Sequence, residues 1–186
     1  MTDIDLLIKK IIPTDNYQYR NGFSNEHIIL SLSDFEKKAV EERLLILIEK
    51  NDDTLIGETL ILLKSSSALP YFYKKLESSS NPVSTIIWAS YINDLKEGDK
   101  EMKDISLKAF KKINDKYSLI SIFHILSQFR DKNINDFIYR YIDNKDYLIA
   151  YNARAALGIN TDGLIIRERT MKSEVRGNRW WYFWKQ

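Results

Sequence analysis

Asp146-Tyr-Leu-Ile-Ala-Tyr-Asn-Ala-Arg-Ala-Ala-Leu-Gly158 is the stretch whose reading decides the fold. Leu148, Ile149, Asn152, Ala153, Ala156 and Leu157 recur at three- and four-residue spacing, drawing one mostly apolar stripe down a helix. The alanines in that stripe leave room for a neighbouring helix to come close. Asp146 is placed to cap the first turn and Gly158 to end the last.

Segments of the same kind recur upstream. Residues 3–12 predict a short amphipathic helix with Ile4, Leu7, Ile8 and Ile11 on one side, stopped by Pro13. Thr14 to Ser24 reads as a loop packed through Tyr17, Tyr19 and Phe23, and residues 25–32 as another helical piece. Ser33-Asp-Phe-Glu36 has the serine-to-glutamate spacing of a capping box. The helix it opens is expected to run to about Lys50, turning Phe35, Ala39, Val40, Leu44, Leu47 and Ile48 inward. Further helices are predicted over 53–64 and 67–77. Asn81-Pro82 supplies a cap followed by a first-turn proline, opening a helix over 83–95. The remaining segments are 100–113, 117–129, 134–142 and 146–157.

Alternate helices begin near Asp53, Pro82, Lys116 and Asp146, at separations of 29, 34 and 30 residues. Helical pairs repeating at this period bury their apolar faces against neighbouring pairs instead of closing separate cores. Residues 146–158 resemble the first helix of a HEAT-type or PBS-lyase-like repeat: Asp146, Ile149, Ala153 and Ala156-Leu157-Gly158 stand where that pattern has its aspartate, Ile/Val, alanine and closing Ala-Leu-Gly. Ala150 occupies the place where an arginine is common. The resemblance implies an all-α, right-handed α-solenoid that binds a partner. Its parts would be N-terminal helices and a loop (1–32), helical repeats (33–158) and a C-terminal cap (159–186). In the cap, Arg179-Trp-Trp-Tyr-Phe-Trp184 favours extended structure and would cover the last open repeat.

Composition narrows the chemistry. The chain has 186 residues and no cysteine, which removes disulfides, thiolate metal sites and a thiol nucleophile, and fits a reducing compartment. Lys9 and Lys10 interrupt the apolar start, so residues 1–30 do not read as a secretion signal, and no segment is long enough to span a bilayer. Cytoplasmic residence is the expectation. Histidine occurs only at 27 and 124. His124 lies in the apolar run 119–126 and reads as a core histidine, and His27 has no partner at metal-ligand spacing. Glycine-rich phosphate loops, Gly-x-Ser-x-Gly and His-Glu-x-x-His are absent from the sequence. A non-catalytic protein with no metal or cofactor is therefore expected.

Charge is unevenly spread. Residues 1–95 carry 10 Lys/Arg against 14 Asp/Glu, and residues 96–186 carry 18 against 12. In repeats of this type the second helix of each pair lines the partner-binding side. Periodicity then nominates Tyr71, Lys74 and Lys75 on 67–77, Asp104, Lys108, Lys111 and Lys112 on 100–113, and Asp136, Tyr139 and Arg140 on 134–142. Tyr71, Lys75, Asp104, Lys108, Lys112, Asp136, Tyr139 and Arg140 are the candidate partner-binding residues, in a lysine-rich strip with tyrosine and arginine. Each is also accounted for by an ordinary solvated helix face. A short, cysteine-free array rich in Lys, Ile, Asn and Asp resembles bacterial immunity proteins, which implies a cognate toxin domain as partner and occlusion of its active site as mechanism. Two alternatives stay open: a nucleic-acid-binding or base-modifying repeat protein using the basic half, and a scaffold self-associating through the aromatic tail.

Overall fold

Side-chain caps open most of the longer helices of this chain. A computed structural model describes residues 4–20 and 22–164. Helices α1 (Ile4–Ile11), α2 (Tyr17–Arg20) and α3 (Glu26–Ser31) precede α4 (Asp34–Lys50) and α5 (Thr54–Leu62). After a 3₁₀ turn at Ser66–Ala68 come α6 (Leu69–Ser78), α7 (Pro82–Leu95), α8 (Lys100–Phe110), α9 (Lys116–Gln128), α10 (Lys132–Tyr139) and α11 (Tyr147–Ala156). No strand occurs among the described residues, so the fold is all-α. The segment read as a loop contains α2. The aromatic cap expected over 159–186 lies, from residue 165 onward, outside the described residues.

The starts follow from short polar side chains that accept from otherwise unpaired amides. Ser33 accepts from the Glu36 amide at 3.3 Å while the Glu36 carboxylate accepts from the Ser33 amide at 3.0 Å, closing the capping box. Asp53, Asn81, Asp115, Asp131 and Asp146 cap α5, α7, α9, α10 and α11 in the same way. Asp99 accepts from the amides of Glu101 and Met102 at the head of α8.

The ends are less uniform. Gly158 closes α11 in the left-handed region, with φ of 68°, whereas Lys64 occupies that region after α5 with φ of 53°. At Lys64 the following Ser65 amide reaches back to the Leu60 carbonyl at 3.0 Å, so the left-handed residue is required by the motif. A Cβ there costs energy that glycine avoids. Lys64→Gly is expected to stabilise the protein by about 0.5–1 kcal/mol after allowing for the greater freedom of the unfolded chain. Urea unfolding measures it, and a lower midpoint would contradict it.

Contacts gather the chain into two units that divide after Phe110. In the first, α3 touches α5, α5 touches α7 and α4 touches α6, while α7 packs along α6 and most extensively along α8. Its core includes Ile11, Leu44, Ile48, Leu60, Ile86, Ile92 and Met102. At its centre Phe72, Trp88 and Tyr91 form a triangle, with ring centroids 5.5–5.9 Å apart. Gly57 lies beneath two of those rings and brings the α5 backbone against α7.

In the second unit α9 packs along α11, and α10 lies against both. Ile122, Phe123, Leu126, Ile134 and Ile138 fill the interior. Of the alanines in the predicted α11 stripe, Ala153 is 0% exposed and Ala156 is half-buried, while Ala150, outside that stripe, is also 0% exposed. The buried stripe is nevertheless rotated from the predicted one: Ile149, Ala150 and Ala153 point inward while Leu148 is 42% exposed. Phe35, predicted to face inward on α4, is 79% exposed. It precedes the Val40–Leu44–Ile48 stripe that meets the core.

Candidate functional site

The candidate residues fall on three helices and the turn that follows the second of them. On α6, Tyr71 and Lys75 are one helical turn apart and share a face. Neither is fully open to solvent: Tyr71 is half-buried, and the Lys75 side chain is 14% exposed with its Nζ 2.6 Å from Asp52 Oδ1. On α8, Asp104 and Lys108 are exposed one turn apart. Lys112, exposed, follows that helix. On α10, Asp136, Tyr139 and the capping residue Arg140 share an exposed side, with Asp136 paired to Lys132 at 2.6 Å.

Lys75 borders a cavity of about 200 Å³ at the joint between α6 and α7. Thr54, Ser78, Ser79, Ser80 and Ser84 line it together with Asp52, Asn81, Ile87 and Trp88. Sequence periodicity nominated Lys75 as a surface residue. The cavity arises because the chain between α4 and α5 places Asp52 beside it.

A second polar cluster ties the N-terminal helices to α5. Arg20 donates from both terminal nitrogens to the two Asp53 oxygens at 2.7 Å, and from Nε and one of those nitrogens to the Pro13 carbonyl at 3.2 and 2.8 Å. Burial works to raise the Asp53 pKa, but the Arg20 hydrogen bond, the Leu55 amide and the Arg20 charge together carry it below the ordinary aspartate value. Deeper in, the Asn25 side-chain amide donates to Thr59 Oγ1 at 2.8 Å and to the Ile11 carbonyl at 3.1 Å. No local motif announces Arg20 or Asn25, because their partners lie 33 and 34 residues away.

Glu58 stands at the margin of that cluster. The Tyr91 hydroxyl donates to its Oε1 at 3.3 Å and to the Thr54 carbonyl at 3.1 Å. Although the residue as a whole is exposed, loss of water around its carboxyl raises its pKa, Asp53 adds in the same direction, and the Tyr91 hydrogen bond and the Arg20 charge oppose. A raised carboxylate pKa means the folded state holds the proton more tightly than the unfolded one. Stability from this group is complete below the ordinary glutamate value and falls as pH rises through the folded value. Glu58→Gln is therefore expected to raise the thermal midpoint at pH 7 relative to the parent, with the difference vanishing near pH 3. A difference that grew toward low pH would reverse the assignment.

The second unit carries a different electrostatic arrangement. Lys111 Nζ lies 4.9 Å from the centre of the Phe137 ring, and the Arg140 guanidinium carbon lies 4.1 Å from the same centre. Both cations are exposed, and neither meets a carboxylate among the described residues.

His124, expected in the core, is exposed. Helix α9 buries Leu119, Ile122, Phe123 and Leu126, which leaves position 124 on the outer side. His27 is exposed as well. Among the described residues no three His, Cys, Asp or Glu side chains gather as a metal site, and no helix is long and apolar enough to cross a membrane. Comparison with models of protein families, with curated proteins and with solved structures gives no match in any of the three.

Proposed function

We propose that this chain is a protein-binding module built as a short HEAT-like right-handed α-solenoid, acting in the cytoplasm as an immunity protein that occludes the active site of a cognate toxin domain. It has no catalytic role of its own in this reading. The observation that carries it is the contact pattern of the first unit, where helices two apart in sequence touch: α3 with α5, α5 with α7, and α4 with α6. Stacking of this kind leaves one side of the outer helices in water, while α7 at the centre of the unit is enclosed over Trp88 to Asn93. In the first unit the exposed side of α8 offers Asp104 and Lys108; in the second, the exposed side of α10 offers Asp136, Tyr139 and Arg140, a mixture of both charges with an aromatic that suits a protein surface.

The experiment is co-expression of the chain with a toxin domain encoded beside it. Restored growth together with a one-to-one complex in solution is the expected result. Growth arrest despite full expression of the chain would overturn the reading. The nucleic-acid alternative draws on the basic balance of residues 96–186, 18 Lys/Arg against 12 Asp/Glu. Retention on DNA that weakens steeply with salt would favour it, because phosphate contacts release condensed counterions.

A further inference from the structure

Like charges avoid one another unless something compensates. Lys111 and Arg140 converge on one ring, so their charges lie within about 9 Å of each other, the sum of their distances to its centre. That upper bound is close to the Debye length of about 8 Å in physiological salt, so the repulsion between the two charges is only partly screened. Elsewhere this protein answers a cation with a carboxylate: Arg20, Lys75, Lys116 and Arg154 each meet an aspartate oxygen at 2.6–2.7 Å. Lys111 and Arg140 are answered by an aromatic face. The attraction of a cation to a ring at exposed sites is worth roughly 0.5–1 kcal/mol, enough to orient the side chains without neutralising them. Charge has been brought together at the surface and left available.

We propose that Lys111, Phe137 and Arg140 form the anchor for acidic side chains of a partner protein, the guanidinium and the ammonium beside the ring each offering its donors to a carboxylate. This rests on the protein-binding reading above and supplies the chemistry of the partner's contact. A guanidinium presents two parallel donors to a carboxylate, and holding it against the ring lowers the entropy lost when the pair forms. The neighbourhood favours a protein over a nucleic acid. Tyr139, 58% exposed, lies beside Arg140, while Asp136 and Asp143 on and just after α10 are paired with Lys132 and Arg154. Two cations beside an exposed tyrosine suit the side-chain carboxylates of a peptide better than a long phosphate strand, which needs a row of cations along its length.

The test uses the full chain, labelled with nitrogen-15, titrated with hexaglutamate at low and at physiological salt. Backbone amides at 111 and 140 are expected to shift with the peptide, and the effect to weaken with salt. The double variant Lys111→Gln with Arg140→Gln should weaken the peptide about tenfold, since each charge-assisted contact contributes separately. Phe137→Leu keeps both charges and removes the ring; it should weaken the peptide by about threefold through lost orientation. Both cations are exposed, so circular dichroism of the double variant should match the parent, and Lys100→Gln with Lys145→Gln, two exposed lysines away from the ring, serves as a charge-matched control that leaves affinity nearly unchanged. Absence of shifts at 111 and 140, equal binding by the double variant, an unaltered affinity in Phe137→Leu, or tighter binding of inorganic phosphate or an oligothymidylate than of hexaglutamate would each overturn the proposal. None of these results depends on rescue from a toxin, so failure of the anchor and failure of the immunity reading are separately visible.

Discussion

Gly57→Val is expected to destabilise the first unit by about 3 kcal/mol, even though valine normally improves on glycine inside a helix. The opposing contributions can be weighed. Replacing glycine relieves up to about 1 kcal/mol of backbone entropy in a helix interior. Against this, the first carbon added at position 57 would sit 2.4 Å from Tyr91 Cε2 and 2.8 Å from Cδ2, with Trp88 Cζ3 at 3.3 Å. These contacts are far inside van der Waals separation, and the ring cannot easily yield. Its hydroxyl is held by the Thr54 carbonyl and Glu58, and its other neighbours are Phe72 and Trp88. Either α5 moves away from α7 or the aromatic triangle repacks, and both lose buried contact. Gly57→Ala should show a smaller loss of the same sign. Chemical unfolding of Gly57→Ala in the parent and in a Tyr91→Ala background separates the causes. Relief of the penalty when the ring is absent is expected, and an equal penalty in both backgrounds would show that the ring is not responsible.

What the sequence discloses about this fold is mostly local. Ser33 with Glu36, Asn81 with Pro82, and Asp146 with the amides of Leu148 and Ile149 all complete their bonds within one helical turn, so spacing alone finds them. On α11 the spacing found Ala153 but not Ala150, which packs just as closely. The orientation of helices that are apolar most of the way round was not legible. Helix α9 contains Leu119, Ile120, Ile122, Phe123, Ile125 and Leu126, and several rotations would give it a buried apolar side. Tertiary packing selected the one that exposes His124. Among the candidate partner-binding residues, Asp104, Lys108, Lys112, Asp136, Tyr139 and Arg140 do lie in water, as periodicity indicated. Lys75 does not, because Asp52, on a different segment, draws it toward the α6–α7 joint. The Phe137 cluster is half visible: periodicity places Lys111 and Arg140 on exposed helix faces, but nothing local links them. Only the fold brings a lysine 26 positions upstream against the same ring as Arg140.

The clip between Arg20 and Asp53 makes the second large prediction, and its dependence on pH gives it a sign as well as a size. Arg20→Ala removes both bonds to Asp53 and both to the Pro13 carbonyl, leaving the segment around α2 without its link to the start of α5. Loss of one partner from a fully buried pair costs roughly 3–5 kcal/mol; solvent reaches 19% and 17% of these two side chains, so about 2 kcal/mol at pH 7 is expected. The folded Asp53 pKa is depressed below the ordinary value of 3.8. Its contribution is thus fully present above that value and is lost as pH falls through the folded one. Without Arg20, the burial that works to raise this pKa meets only the Leu55 amide, so the folded value climbs. The acid-dependent part of the contribution disappears from the variant. Parent and variant should consequently differ most at neutral pH and begin to converge as pH falls below the ordinary aspartate value of 3.8, reaching the share due to the Pro13 carbonyl only below the folded Asp53 value. Asp53→Asn keeps a side-chain oxygen to cap α5 but removes the charge, and should reproduce the neutral-pH loss with a flatter acid limb than the parent. Unfolding free energies at pH 7, 5 and 3 decide it: a gap between parent and Arg20→Ala that stayed constant across that range would mean the guanidinium acts through packing and the carbonyl, and not through the charge on Asp53.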